Sequence, residues 1–189
     1  MTSAPELLGT LLALAYVVLA IREHRLCFVV GFASALLYLW VFWQVQLYME
    51  AGLQVFYAAI SLYGWWHWGG DSQPELQVST WPRSRHALAF GLIAIGTMIG
   101  GYLLAAQTDA AMPFVDSFTT ISAILTTWMV ARKVLENWLY WIVIDAVSAL
   151  MYIERGLWLT AGLFALYSLL ALAGYLQWRR HLRIQSLTL

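Results

Sequence analysis

The sequence predicts an all-α membrane protein in which a bundle of three helices occurs twice. The first observation is composition, since 62% of the 189 residues are hydrophobic, 11% are charged and the mean hydropathy is +0.71. A soluble domain of this length has too little interior to bury so much apolar surface. The second is an internal match of Ser34-Ala35-Leu36-Leu37-Tyr38 with Ser148-Ala149-Leu150-Met151-Tyr152. The third is a strongly one-sided distribution of basic residues, described below.

The internal match continues in both directions at a constant offset that differs slightly from that of the first match. The matching pairs are Arg22 with Arg132, Tyr57 with Tyr167, Gly64 with Gly174 and Trp68 with Trp178. A four-residue gap separates this register from that of the Ser34–Ser148 match. Chance gives Leu and Ala matches in such a chain, but an ordered series of Gly, Tyr and Trp favours duplication. Duplicated helical bundles in a membrane are typical of transporters.

Turn-forming residues divide the chain into seven segments that match the length of a membrane crossing, about 20 apolar residues. We place these segments at 5–22, 25–43, 48–68, 86–106, 114–131, 137–154 and 158–178. Seven crossings put nine of the ten Lys and Arg residues on one face and leave Arg155 alone on the other. This asymmetry predicts a periplasmic N-terminus and a cytoplasmic C-terminus.

Three helices, one linking helix and three helices form a parallel 3+1+3 repeat. Because the linker at 86–106 crosses once, the second triplet enters the membrane from the same side as the first, as in the sugar transporters called SWEETs. We divide the chain into a first three-helix bundle (1–70), a cytoplasmic loop with the linking helix (71–110), and a second bundle with a cytoplasmic tail (111–189). Gly96 and Gly100 in the linker predict close helix packing.

Polar side chains form stripes on three predicted helices, at about 100° per residue. The stripes are Asn137, Trp141, Asp145, Ser148 and Tyr152 on the sixth, Gln54, Tyr57, Ser61, Gly64, Trp65 and Trp68 on the third, and Asp116, Thr120, Ala123 and Thr127 on the fifth. Amides beside aromatic rings suit a flat molecule with polar edges. Asp145 lies near mid-span, where a carboxylate is costly in lipid and should face a cavity or a partner.

Structural roles are the alternatives for these residues. Asp145 would then bond only neighbouring helices, and the Thr hydroxyls would bond their own backbone carbonyls. Trp66, Trp68 and Trp178 lie near the predicted cytoplasmic ends and predict an interfacial aromatic belt. A belt does not account for Gln54 at mid-span.

Catalytic, metal and nucleic-acid signals are missing from the sequence. It has no His-x-x-x-His pair, Gly-x-Ser-x-Gly or phosphate loop. A single cysteine, Cys27, excludes an intrachain disulfide and argues against a thiolate metal site, and a net charge of zero gives no reason to expect nucleic acid. We predict neither an enzyme nor a cofactor, and no cleavable signal peptide. A membrane-bound enzyme, and a scaffold or sensor lacking a polar cavity, remain alternatives.

Three runs of the sequence are long and unusual: Tyr63-Gly64-Trp65-Trp66-His67-Trp68, Glu136-Asn137-Trp138-Leu139-Tyr140-Trp141-Ile142-Val143-Ile144-Asp145 and Gly156-Leu157-Trp158-Leu159-Thr160-Ala161. Through these runs the chain resembles, from Arg22 to Arg180, the PnuC family of bacterial vitamin transporters. The resemblance implies a SWEET-like protein of the bacterial inner membrane, usually a homotrimer, that carries nicotinamide riboside inward by facilitated diffusion. Phosphorylation in the cytoplasm then traps the substrate.

By motif match, the resemblance implies substrate contacts, and the polar stripes add two more. The implied contacts are Gln54, Tyr57, Trp65, Asn137, Trp141 and Asp145, and the added ones are Thr127 and Ser148. Nicotinamide riboside and thiamine both carry a cationic aromatic ring, which stacks on Trp or Tyr with about 0.5–2 kcal/mol of cation–π attraction. Other members of the family carry riboflavin or deoxynucleosides, and this chain has Thr126-Thr127 where many members have Ala-Gln. Nicotinamide riboside is favoured by family frequency, and the other vitamins stay open.

Overall fold

The structure is a computed structural model that describes residues 4–44, 48–69, 76–108, 112–154 and 156–188. These residues form seven helices, α1 (Ala4–Ile21), α2 (Leu26–Gln44), α3 (Tyr48–His67), α4 (Arg83–Gln107), α5 (Pro113–Ala131), α6 (Asn137–Glu154) and α7 (Trp158–Thr188). The all-helical prediction and the seven helices are confirmed. Every end lies within about three residues of its predicted position, except the end of α7.

Helix α7 runs well past the predicted end at Trp178 and stops at Thr188. Its 31 residues span about 46 Å at about 1.5 Å per residue, more than the hydrocarbon core of about 30 Å. The hydropathy pattern marks where the chain leaves lipid. It does not mark where a helix ends, and no Gly or Pro follows Gly174 to end this one.

Within the described residues, four helical stretches are long and apolar enough to cross a membrane. They are Leu26–Gln44, Arg83–Gln107, Pro113–Ala131 and Thr160–Leu187, and α1 adds the shorter apolar stretch Leu7–Ile21. Helices α3 and α6 contain Gln54 and Asp145 among several Trp and Tyr residues, which lowers their mean hydropathy. The count of seven crossings therefore stays a prediction.

The chain divides into two compact units. Unit 1 comprises Met1–Val78, Val130–Lys133 and Leu176–Leu189, and unit 2 comprises Ser79–Met129 and Val134–Tyr175. Unit 1 thus holds α1, α2 and α3 together with the turn after α5 and the last part of α7. Unit 2 holds α4, α6 and most of α5 and α7.

In unit 1 the helices meet at small residues. Ser34 on α2 donates a hydrogen bond from Oγ to the carbonyl oxygen of Gly9 on α1, at 3.0 Å. On α3, a Cβ atom at Gly64 would lie 2.2 Å from Cε1 of Phe28, so only glycine lets this buried ring approach the helix. Close contacts of this kind fix the register of α1 and α3 against α2.

In unit 2 a glycine stripe on α4 faces α5. A Cβ at Gly96 would lie 3.0 Å from Ile121, a Cβ at Gly100 would lie 2.9 Å from Ser117, and a Cβ at Gly101 would lie 2.3 Å from Phe114. The close packing predicted for the Gly96–Gly100 pattern is confirmed. On α7, a Cβ at Gly174 would lie 2.6 Å from Trp138 of α6.

The turn between α1 and α2 and the turn between α5 and α6 have the same local geometry. Glu23 and Lys133, which occupy matching positions of the predicted repeat, both have left-handed backbone conformations, with φ of 56° and 52°. The bonds that close the turns are His24 N to Leu19 O and Val134 N to Met129 O, both 3.0 Å. This is the pattern that commonly ends a helix in a left-handed residue, usually glycine.

Candidate functional site

Three predicted contacts, Gln54, Tyr57 and Trp65, lie on α3 in unit 1, and all three are partly buried. Ser61, on the same stripe, donates from Oγ to the carbonyl oxygen of Tyr57 at 2.7 Å, so its hydroxyl is used within the helix. Within the described residues no hydrogen bond involves the Gln54 amide. The polar stripe of α3 therefore reduces to Gln54 and the aromatic rings.

The Trp65 indole is held by Arg25 from the turn before α2. The Arg25 Cζ atom lies 3.7 Å from the ring centroid, which is the geometry of a cation–π contact. One face of the indole is occupied by the guanidinium. A ligand that stacks on Trp65 would have to use the other face.

The other five predicted contacts lie in unit 2, four of them on α6. Asn137, Asp145 and Ser148 are buried, with 0%, 5% and 3% of their surface exposed, and Trp141 is partly buried. Asn137 donates from Nδ2 to the carbonyl oxygen of Val134 at 2.7 Å and so caps its own turn. Its Oδ1 atom is buried and has no hydrogen-bond partner in the described chain.

Asp145 is the one acidic side chain in the middle of α6. Along the described parts of the chain, no side chain forms a hydrogen bond or ion pair with it, although 5% of its surface is exposed. No group of three or more His, Cys, Asp and Glu residues that would bind a metal ion occurs in those parts either. A carboxylate in this setting favours a cationic ligand, because an opposite charge offsets the cost of its burial.

On α5, the hydroxyl of the predicted contact Thr127 is already hydrogen-bonded, whereas two neighbouring hydroxyls are not. Thr127 donates from Oγ1 to the carbonyl oxygen of Ala123 at 2.7 Å, within its own helix. Ser122 and Thr126, one turn apart, are 1% and 0% exposed, and their hydroxyls have no partner among the described residues. Neither residue was among the predicted contacts, although their spacing of four puts them on one helical face.

Trp68 and Trp178 are not part of an interfacial belt. They are 3% and 0% exposed, whereas Trp66 is 73% exposed. Each buried indole N–H donates to a backbone carbonyl oxygen at the end of a helix, Trp68 to Val130 at 3.2 Å and Trp178 to Ala20 at 3.1 Å. The belt prediction is therefore wrong for these two residues, because a buried hydrogen bond satisfies the indole.

A charged cluster that the sequence did not reveal lies beside the two tryptophans in unit 1. Lys133 Nζ lies 2.9 Å from Glu23 Oε2, and the two side chains are 2% and 7% exposed. His181 Nδ1 contacts the other carboxylate oxygen of Glu23. Lys133 Nζ also lies 4.9 Å from the Trp68 ring centroid. We call Glu23, Lys133, His181, Trp68 and Trp178 the clasp.

Comparisons with known proteins find one matching family, similar relatives and a similar solved structure. A sequence model of the family described as nicotinamide mononucleotide transporter matches residues 3–180. The nicotinamide riboside transporter PnuC of Escherichia coli is 27% identical over 202 residues, covering 92% of this chain and 84% of the relative. The riboflavin/roseoflavin transporter RibM of Streptomyces davaonensis is 25% identical over 180 residues, covering 92% and 83%. The crystal structure of the vitamin B3 transporter PnuC has a TM-score of 0.71 and 19% identity, covering 93% of this chain and 80% of that chain.

Proposed function

Because the chain belongs to the nicotinamide mononucleotide transporter family, we propose that it carries nicotinamide riboside across the bacterial inner membrane by facilitated diffusion. The family match over residues 3–180 is the observation that carries this proposal. The relative named for nicotinamide riboside supports the choice of substrate. The buried carboxylate of Asp145 supports it independently, since the pyridinium ring of the riboside is a cation.

The distribution of basic residues favours the riboside over the mononucleotide. Helices α1, α2, α3, α5 and α6 contain no Lys or Arg at all, and those of α4 and α7 lie near one end. A phosphate group usually binds Arg, Lys or a helix N-terminus. The helices that carry the predicted contacts thus offer a phosphate no basic side chain of their own, and the guanidinium of Arg25 lies on Trp65, near one end of α3. The neutral ribose hydroxyls need only amides and hydroxyls.

The same distribution accounts for metabolic trapping, which is part of the proposal. Once a cytoplasmic kinase adds a phosphate, the product carries a dianion that a path without basic residues would not readmit. Net inward flux then follows from consumption of the riboside, and no ion gradient is required. The pathway residues that we propose are those predicted from the sequence, together with Ser122 and Thr126.

The finer architecture is also proposed. We propose a parallel 3+1+3 repeat with a periplasmic N-terminus, a cytoplasmic C-terminus and a homotrimeric assembly. The equal geometry of the Glu23 and Lys133 turns, at matching positions of the chain, supports the repeat. The nine-to-one distribution of Lys and Arg supports the orientation. The trimer is supported by the resemblance to the PnuC family alone.

Riboflavin is the second candidate substrate, and thiamine is a third. The relative RibM, named for riboflavin and roseoflavin, covers as much of this chain as the nicotinamide riboside transporter does. Riboflavin has no fixed positive charge, so a site built around Asp145 would gain nothing from that carboxylate. Thiamine is a cation, and the aromatic and acidic residues suit it as well.

The proposal is tested by binding and by uptake. Purified protein is titrated calorimetrically with nicotinamide riboside, nicotinamide mononucleotide, thiamine and riboflavin side by side, and uptake of the same compounds is measured in proteoliposomes against protein-free liposomes. We expect binding and saturable uptake of the riboside, with the mononucleotide at least about tenfold weaker, a difference of about 1.4 kcal/mol. Uptake of riboflavin or thiamine without uptake of the riboside would refute the assignment.

A further inference from the structure

The clasp contains a nearly fully buried ion pair that two further side chains contact. Lys133 Nζ and Glu23 Oε2 are 2.9 Å apart, and the two side chains are 2% and 7% exposed. His181 binds the same carboxylate and is 42% exposed, so one edge of the clasp reaches solvent. The Trp68 ring centroid lies 4.9 Å from the ammonium nitrogen of Lys133.

Two of the side chains in the clasp lie close in sequence to points where the chain passes from one unit to the other. Glu23 belongs to the turn between α1 and α2, and Lys133 belongs to the turn between α5 and α6. Unit 1 contains both residues, but the residue after Lys133 already belongs to unit 2. Helix α7 likewise passes from unit 2 into unit 1 at Leu176 before it reaches His181. Glu23 is therefore bound to two segments that continue directly into unit 2.

A buried ion pair adds little net stability to a contact that never breaks. Removing two charges from water offsets most of the attraction gained, and an apolar pair of the same shape often holds a fold as well or better. An ion pair breaks more easily than an apolar pair, because water solvates both charges once the contact opens and so stabilises the open state. Both residues are also non-glycine residues with positive φ, a strained conformation that clusters at switch regions.

We propose that the Glu23–Lys133 pair is a latch that holds one end of the carrier closed and breaks each time that end opens. This inference rests on the proposed transport function, and the proposed orientation places the latch at the cytoplasmic end. The indole N–H groups of Trp68 and Trp178 bond the carbonyl oxygens at the helix ends that lead into the same two turns. These bonds hold the two turns in place while the charged pair forms and breaks.

The chain carries its own reporter for opening. Cys27 is the single cysteine of the sequence, is 0% exposed, and donates its backbone N–H to the carbonyl oxygen of His24 beside the Glu23 turn, at 3.0 Å. In inverted membrane vesicles, a membrane-impermeant maleimide should label Cys27 slowly in the parent protein. Glu23→Gln keeps the shape but removes the charge, and should speed labelling by about tenfold or more.

Two further variants separate the latch from general damage. Glu154→Gln removes an exposed carboxylate at the other end of α6 and should label at the parent rate. The exchange variant Glu23→Lys with Lys133→Glu keeps the pair, because the two turns have the same backbone conformation. It should label within about threefold of the parent, and rapid labelling of a folded exchange variant would overturn the latch. Parent-rate labelling of a folded Glu23→Gln protein would overturn it equally.

A covalent latch connects opening with transport. In a Cys27→Ser background, Glu23→Cys and Lys133→Cys are bridged by a short bifunctional thiol reagent whose link can be reduced. Uptake of nicotinamide riboside should fall by about tenfold or more on bridging and recover on reduction. Bridged protein that transports at the unbridged rate would refute the latch.

The two proposals can fail separately. Labelling of Cys27 needs no substrate, so faster labelling of Glu23→Gln supports the latch even if the riboside proves not to bind. Normal riboside uptake together with unchanged labelling keeps the proposed function and refutes the latch.

Discussion

Trp68 and Trp178 occupy matching positions of the proposed repeat. Each donates its indole N–H to a carbonyl oxygen at the end of a helix in the other half of the chain. Trp68 bonds Val130 at 3.2 Å and Trp178 bonds Ala20 at 3.1 Å, and these two acceptors also occupy matching positions. The two rings meet edge to face, with centroids 5.8 Å apart. The two hydrogen bonds are reciprocal, which supports the proposed repeat.

Replacing either indole should destabilise the protein. Trp178→Phe and Trp68→Phe each remove one of the two hydrogen bonds that the carbonyl oxygen accepts, since the backbone N–H of Glu23 still bonds Ala20 and that of Lys133 still bonds Val130. We expect the free energy of unfolding to fall by about 0.5–1.5 kcal/mol for each, read as a lower midpoint of thermal unfolding in detergent. Trp66→Phe is the control, because Trp66 is 73% exposed. Equal midpoints for the three variants would show that the hydrogen bonds contribute nothing measurable.

Two glycines at matching positions should tolerate no side chain. A Cβ at Gly64 would lie 2.2 Å from Phe28, and a Cβ at Gly174 would lie 2.6 Å from Trp138, both buried rings. We expect Gly64→Ala and Gly174→Ala to lower the free energy of unfolding by about 1–3 kcal/mol, the usual effect of overpacking. Gly162→Ala is the matched control, since no atom lies within 4 Å of the position that its Cβ would take. Gly64→Ala and Gly162→Ala with the same thermal midpoint would contradict the contact.

How far the sequence predicts the fold depends on which force sets each feature. Hydropathy and turn residues located all seven helices, because transfer to lipid dominates where these helices begin and end. The end of α7 was missed, since beyond Trp178 the helix is a matter of local propensity and of the contact between His181 and Glu23. The sequence also permits two different alignments of the halves of the predicted repeat. In the Ser34–Ser148 alignment Gly31 corresponds to Asp145. The helix ends Gln44 and Glu154 instead correspond in the other alignment, the one that pairs Glu23 with Lys133.

The candidate site was less predictable because its chemistry depends on contacts between distant parts of the chain. Glu23 and Lys133 each resemble ordinary charges at a helix end, and only the fold makes them a buried pair. Trp178 bonds a carbonyl oxygen 158 positions away, which no local pattern reveals. By contrast, Asp145 could be singled out from the sequence, because a lone carboxylate inside an apolar helix is conspicuous on any scale.

The orientation can be tested with reporter fusions. The proposed topology places Arg183 in the cytoplasm and the turn between α6 and α7 in the periplasm. A periplasm-active phosphatase fused after Arg183 should therefore be inactive, and the same enzyme fused after Glu154 should be active. Phosphatase activity after Arg183 would overturn the orientation or the count of seven crossings.

Asp145 should distinguish cationic from neutral substrates. Asp145→Asn keeps the side-chain volume and removes the charge, so loss of a carboxylate that offsets the pyridinium should weaken binding of nicotinamide riboside by about tenfold or more. Riboflavin, without a fixed charge, should lose much less. Glu154→Gln, an exposed position on the same helix, should change neither affinity. Calorimetric titration of the three proteins gives the comparison, and an unchanged riboside affinity in folded Asp145→Asn would remove Asp145 from the site.

The last prediction is that uptake of nicotinamide riboside depends on membrane potential and on no ion gradient. The riboside carries one positive charge, and a uniporter that moves it alone transfers that charge across the bilayer. About 2.3 kcal/mol per 100 mV acts on each charge, so an inside-negative potential of about 60 mV should raise accumulation by about tenfold.

Proteoliposomes with a potassium gradient and valinomycin set this potential, and equal potassium with valinomycin holds it at zero. At zero potential, an imposed proton or sodium gradient should leave the final accumulation unchanged, because a uniporter moves the riboside alone. Accumulation driven by either gradient under the clamp would show coupling and refute facilitated diffusion. Riboside uptake that ignores the potential would show that a second ion compensates the charge of the riboside, which would equally refute facilitated diffusion of the riboside alone.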